Sequence, residues 1–338
     1  VIRAALDAMG ADGGCDPIVE GAAQISLEDT PIQVLLVGDR ERIGAALRRH
    51  RHDPSRLEIV HANDFVRMDD KPAAALDRSP DCSVLRAAAL VRGGDADVLV
   101  GAGNTGAVIH AAARTFERLE GVRRVALCAV HPTIEPHGPK RDPFGLMLDV
   151  GATLQCSAEE LVAFATMGSC YSRLVSDIAA PKVALLSIGS EATKGTESVV
   201  AAHATLLGSE RLNFWGNVEG LDIPKGSADV VVCDGFVGNI VLKMLEGVSD
   251  AALDLARHAH AAKFRYRLGL ALLSSGLRRV RELTDWKQYG GAPILGFDRP
   301  VIKAHGRSNG RAIRNALRLA AKTVQRDLVR ELRASLRP

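Results

Sequence analysis

Asp229-Val-Val-Val-Cys-Asp-Gly-Phe-Val-Gly-Asn-Ile-Val-Leu-Lys243 passes from a β-branched strand through a glycine-flexed turn into an apolar, helix-spaced segment. An acid (Asp234), an amide (Asn239) and an amine (Lys243) follow one another over about two helical turns. The C-terminal edge of a parallel strand is where α/β proteins gather polar chemistry. Asn239 and Lys243 share a face if residues 238–247 are helical, because residues four apart are neighbours on a helix. The competing reading is a packed strand followed by an aspartate that only caps a helix.

The same alternation repeats on either side. Residues 2–6, 32–37, 57–60, 96–100, 124–130, 146–150 and 182–188 read as strands. Residues 17–28, 40–50, 85–91 and 158–174 read as helices between them. This pattern predicts an α/β fold with a mostly parallel sheet flanked by helices. The stretch Pro132–Pro143, rich in Pro, His and Gly, is expected to be an irregular loop. The basic run Arg48-Arg-His-Arg-His52 reads as a solvated helix end.

The 338 residues are near the length at which one core gives way to two. No linker, repeat or low-complexity tract divides them, so residues 1–338 are expected to form one α/β catalytic unit with two poorly separated lobes. Residues 251–285 are the candidate for a protruding helical hairpin. Residues 257–267 are basic, 268–277 read Leu-Gly-Leu-Ala-Leu-Leu-Ser-Ser-Gly-Leu, and Arg278, Arg279 and Arg281 follow. Such a segment packs against a partner chain or rests its tip on anionic lipid.

Apolar residues make up 47% and aromatics 4%, which suits Ala-, Val- and Leu-built strands covered by helices. A formal charge of +3 gives no electrostatic argument for nucleic acid. The cysteines at 15, 82, 128, 156, 170 and 233 have no zinc-site spacing and read as buried thiols of a reducing cytoplasm. No run reaches the roughly 18–20 apolar residues of a spanning helix, and the chain opens as a strand rather than a signal peptide. The reading is a soluble protein.

Three further strand-edge loops carry candidates. Gly101-Ala-Gly-Asn-Thr-Gly106 ends a strand and opens a helix, where backbone N–H groups and the helix dipole can hold an anion. Gly103 and Gly106 shape that turn, and Asn104 and Thr105 add donors. It matches neither G-x-G-x-x-G nor the P-loop, so NAD and ATP readings fail there. Ser187–Gly195 places Lys194 where it can neutralise phosphate or a developing oxyanion. Lys303–Gly310 offers His305 and Ser308 as hydrogen-bonding groups at another helix start, beside Arg307. Gly-x-Ser-x-Gly is absent, and no cysteine sits as a triad nucleophile. Anion loops without a covalent nucleophile suit a reaction whose nucleophile is a dissolved anion such as phosphate.

In this order the segments resemble the bacterial PlsX family, the acyl-acyl-carrier-protein:phosphate acyltransferases. The resemblance runs through Leu6-Asp-Ala-Met-Gly10, Met68-Asp-Asp-Lys-Pro72, Ala102-Gly-Asn-Thr-Gly-Ala107 and Leu148-Asp-Val-Gly-Ala152. It continues through Met167-Gly168, Ile188-Gly189, Lys194-Gly195, Asn217-Val-Glu-Gly220 and Asp234-Gly-Phe-Val-Gly-Asn239. Tyr289-Gly-Gly-Ala-Pro293 and His305-Gly306 close it. Departures from the family pattern fall at Ala11, Asp81–Val84, Thr153, Gln155, Ser187, Ala192 and Phe297–Pro300, beside the ligand loops.

The resemblance implies a homodimeric fold of the phosphate acetyltransferase and isocitrate-dehydrogenase type. It implies that an acyl-carrier-protein thioester and inorganic phosphate give acyl phosphate in phospholipid synthesis. It implies neither an organic redox cofactor nor a required metal, and a cytoplasmic protein in peripheral contact with an anionic membrane. On that reading Asn104, Thr105 and Ser308 orient phosphate at the helix starts after Gly103 and near His305. Lys194 and Lys243 offset its charge, Asn239 holds the oxyanion, and Asp234 orients phosphate, takes its proton or only holds the turn. The alternatives are a short acyl-CoA or unusual carrier as donor in a dedicated pathway, and a catalytically weakened scaffold that binds carrier protein or membrane.

Overall fold

The computed structural model describes residues 1–262 and 290–337, with residues 265, 269 and 273 in addition. The described part is built on an eleven-stranded mixed sheet. Its strands are β1 (Ile2–Asp7), β2 (Ile32–Gly38), β3 (Leu57–His61), β4 (Val98–Gly101), β5 (Ala126–His137) and β6 (Asp142–Leu148). They continue with β7 (Val183–Leu186), β8 (Phe214–Val218), β9 (Val230–Val232), β10 (Ala292–Leu295) and β11 (Val301–Lys303). The order across the sheet is β3-β2-β1-β4-β11-β10-β5-β6-β9-β7-β8.

Pairing within β1, β2, β3, β4 and β11 is parallel, as it is within β6, β9, β7 and β8. The antiparallel pairs β11–β10, β10–β5 and β5–β6 lie between these groups. Three reversals make the second group run opposite to the first. Sheets twist by about 20–25° per strand pair, so the steps from β11 to β9 turn the strand direction through roughly a right angle. Each group has its own carboxyl edge.

The reversal is made where an irregular loop was expected. Residues 132–143 instead extend β5 and β6 into a hairpin, with Pro132 opposite Phe144 and His137 opposite Asp142. Gly138, at φ 63°, gives the turn its left-handed backbone. The strand also borrows partners from its far side, where the Ile134 and Glu135 N–H groups donate to the carbonyls of Pro224 and Lys225. Proline and histidine content therefore misled: tertiary pairing outweighed local propensity. Beside that turn His137 Nδ1 lies 2.6 Å from Asp229 Oδ1.

Helices cover both faces. On one face α3 (Pro72–Arg78), α4 (Ser83–Gly93), α5 (Thr105–Thr115) and α8 (Gly235–Ala262) enclose a core. That core runs without a break from Ala5 and Leu99 in the first strand group to Met147, Ala184 and Val231 in the second. The other face carries two cores. One lies under α1 (Asp16–Ser26), α2 (Arg40–Leu47) and α9 (Gly310–Gln325), the other under α6 (Ala158–Val175), α7 (Glu197–Leu207) and α10 (Leu328–Leu336). Pro17 opens α1, and Ser157 with Glu160 forms a capping box at the start of α6. The proposed hairpin at 251–285 falls mostly outside the described residues; its first part continues α8 to Ala262. Among the described residues no helix is long and apolar enough to cross a membrane.

Candidate active site

Helix α8 starts directly after β9 and carries the residues singled out first. Asp234 Oδ1 accepts the Val237 N–H at 2.9 Å, so the acid caps the helix. Asn239 donates from Nδ2 to the Val150 carbonyl at 3.0 Å, tying α8 to the loop after β6. One turn further on, Lys243 Nζ reaches Glu246 at 2.7 Å and His305 Nε2 at 3.4 Å. His305 follows β11, at the carboxyl edge of the first strand group. A single helix thus links the two carboxyl edges.

The loop after β6 is held by a carboxylate the sequence reading did not select. Asp149 is fully buried. Its oxygens accept from the backbone of Leu127, Gly151, Ala152 and Thr153, and from Thr153 Oγ1 at 2.9 Å. Burial pushes its pKa above the ordinary value against those hydrogen bonds. Thr153 Oγ1 also accepts the Gly235 N–H at 3.0 Å and so fixes the start of α8. The close fit shows at Gly238, where a Cβ would stand 1.9 Å from the Asp149 carbonyl oxygen. The motif Leu148–Ala152 was legible as a strand end; its contact with α8 was not, because nothing local encodes it.

At the first edge, Asn104 caps α5 by accepting the Ala107 N–H at 3.2 Å, and it donates to the carbonyls of Met68 and Asp70 at 3.0 and 3.2 Å. Its side chain is spent on holding the Met68–Pro72 segment against the helix start. Thr105 and Gly106 open α5, where the first N–H groups of a helix have no intrahelical acceptor. Across the edge, Gly10 packs near Gly103, and the Asp12 N–H donates to the Gly306 carbonyl at 3.1 Å. Ser308 is buried, and its hydroxyl has no partner among the described residues. Burial first, then Lys243, lowers the His305 pKa, which favours the neutral ring.

Lys194 is exposed on the loop between β7 and α7. Ser187 Oγ donates to its carbonyl at 2.8 Å, and Asn217 Nδ2 donates to the Glu191 carbonyl at 2.9 Å, bracing the loop at both ends. Because β7 neighbours β9, this loop stands beside the Asp234 turn. Thr105, His305, Ser308 and Lys243 thus gather at one edge, with Asp234, Asn239 and Lys194 at the other.

Two groups were quoted within motifs but given no role. Asp7 ends β1 and Lys303 ends β11, and both pair in register with Gly101 of β4 between them. Burial pushes Asp7 up to about 6 and Lys303 down to about 8. The two cysteines beside the start of α8 are poor thiolates: burial raises Cys233 far above its ordinary value, and Cys156 to about 11. Among the described residues no group of His, Cys, Asp or Glu is arranged to hold a metal ion.

The fold is an α/β fold of phosphotransacetylase architecture. A phosphotransacetylase from Streptococcus pyogenes superposes with a TM-score of 0.62 at 17% identity, covering 96% of this chain and 94% of that one. A branched-chain phosphotransacylase from Enterococcus faecalis V583 gives 0.58 at 17% identity, covering 96% and 99%. At those identities the likeness speaks for the fold alone. The chain belongs to the family described as fatty acid synthesis protein, which matches residues 2–331. A relative from Desulfitobacterium hafniense (strain Y51), named phosphate acyltransferase, is 43% identical over 337 residues, or 99% of this chain and 98% of its own length.

Proposed function

We propose that this chain is a phosphate acyltransferase of fatty acid and phospholipid synthesis that takes its acyl group from an acyl-carrier-protein thioester. The observation that carries the reading is α8: it begins beside Asp234 and reaches His305 at Lys243, so one rigid element spans both carboxyl edges. Phosphate belongs at the first edge, on the opening N–H groups of α5, with the Ser308 hydroxyl and the Lys243 ammonium beside it. The thioester belongs at the second edge. Its carbonyl oxygen takes the second N–H of the Asn239 amide, the first being spent on Val150, and the Phe236 N–H adds a backbone donor, those of Gly235, Val237 and Gly238 being already bonded.

A phosphate oxygen attacks the thioester carbon, the tetrahedral oxyanion collapses, and the C–S bond breaks with the electron pair leaving on sulfur. The thiolate is protonated from solvent or from the phosphate. Asp234 Oδ1 is committed to the helix cap, so a proton taken there goes to Oδ2. Lys194 supplies charge from the neighbouring loop. Rate gain comes mainly from holding two bound reactants in line, with no acyl-enzyme, in keeping with thiols that stay protonated.

The finer partners belong to the same proposal. Phe236, Ile240, Met244 and Val248 form an exposed apolar ridge at four-residue spacing along α8. Such a ridge packs into the matching groove of a second helix, and a two-fold pairs it with its own copy. The protein is therefore read as a cytoplasmic homodimer, with residues 257–283 in peripheral contact with anionic lipid.

Purified protein given inorganic phosphate and acyl-carrier-protein thioesters of several chain lengths is expected to release acyl phosphate, detected by mass, without nucleotide or redox cofactor. No product from any chain length would sink the reading. Product from acyl-CoA alone would reassign the donor, and a solution mass of one chain would reject the dimer.

A further inference from the structure

Lys303 is a buried ammonium whose one hydrogen bond among the described residues goes to the carbonyl of Ala304. An ammonium has more donors than that bond uses, and leaving them unmet away from water is costly. Among the described residues no carboxylate lies within salt-bridge distance of it. Two further groups belong to the same sheet edge. Ser308, also buried, holds a hydroxyl without a partner among the described residues. On the other side of Gly101, Asp7 ends β1 in the same register, and the glycine between them contributes no side chain. Gly101 faces Val108 of α5, so in-register residues on the neighbouring strands point to the α5 side of the sheet.

We propose that Lys303 is a phosphate-binding residue, meeting the anion from beneath the start of α5, with Asp7 as the buried counter-charge that keeps the empty site balanced. The inference rests on phosphate being the acyl acceptor and gives a role to a residue that the sequence reading used only to open the His305 loop. Charged groups facing the amine come from three directions: Asp7 on β1, Asp12 on the loop after it, and Lys243 on α8. Asp7 and Asp12 favour the ammonium; Lys243 and burial oppose it. With the amine pulled down to about 8, the empty site loses its charge as pH rises through that value. Phosphate, itself a dianion there, then meets a neutral amine.

The test measures phosphate binding by calorimetry, separately from turnover, from pH 7 to 9.5. Wild-type affinity is expected to fall about tenfold or more over that range. Lys303→Met is expected to bind phosphate about tenfold or more weakly at pH 7, as loss of a charge-assisted bond requires, and to lose the pH dependence. Lys303→Arg keeps charge at every pH and should bind with a flat profile. Unchanged affinity in folded Lys303→Met overturns the proposal. If that variant does not fold, the wild-type titration decides alone, and a flat profile overturns it equally. Phosphate binding without acyl phosphate formation would count against the reaction, not against Lys303.

Discussion

Alanine in place of Lys194 is expected to cut turnover at saturating phosphate by roughly 10²-fold or more, the typical cost of one lost charge contact in the transition state. The thermal midpoint should barely move. The loop holding Lys194 is fastened through its backbone, by Ser187 on the Lys194 carbonyl and by Asn217 on Glu191, and the lysine side chain is exposed. Removing it uncovers no core and leaves no buried group unmet. The informative comparison is kcat against melting temperature in the same preparation. Wild-type kcat in Lys194→Ala would reject the assignment, and a large drop in midpoint would give the lysine a structural role instead.

The second large effect is on the fold. Gly238→Ala is expected to destabilise the protein by about 3 kcal/mol or more, because backbone cannot yield as a side chain would. The added methyl would lie 1.9 Å from the Asp149 carbonyl oxygen and 2.9 Å from Cys233 Sγ. Asp149 is itself locked by the backbone donors of residues 151–153, and α8 is tied down by Asn239, so neither partner can move away. Gly247→Ala on the same helix meets nothing within 4 Å and serves as the control. There alanine should be neutral or stabilising by about 0.5–1 kcal/mol, from helix propensity alone. Equal urea midpoints for the two variants would mean that α8 and the loop after β6 do not pack this closely.

Much of this was readable beforehand, and the division has a physical basis. The strand, turn and helix of residues 229–243 announce themselves because period and glycine placement are local signals. So do the strand-to-helix turns at Gly103 and His305. The reading placed Asn104 and Asp234 at helix starts, and both prove to be caps, which is local chemistry too. Asp7, Lys303 and Asp149 escaped because their significance is burial, and burial is conferred by distant neighbours. Asp7 and Lys303 become a pair only because β4 separates β1 from β11 in the sheet. The hairpin at 132–143 escaped because its second edge is completed by residues 224–225. Each missed feature joins parts of the chain far apart in sequence.

The place of β11 bears on how the molecule is made. This late strand lies between β4 and β10, bonded in register to Leu99, Val100 and Gly101. Until it arrives, β4 exposes a bare hydrogen-bonding edge on a nascent chain already rich in apolar strands. Roughly 200 residues of translation separate the two partners, about 10–40 s at ordinary ribosomal rates. Throughout that interval the growing polypeptide holds an unsealed sheet, with the turn into α5 standing beside the gap. The proposed phosphate cradle is therefore completed among the last events of biogenesis, and the nascent intermediate is the state in which chaperones have most to shield.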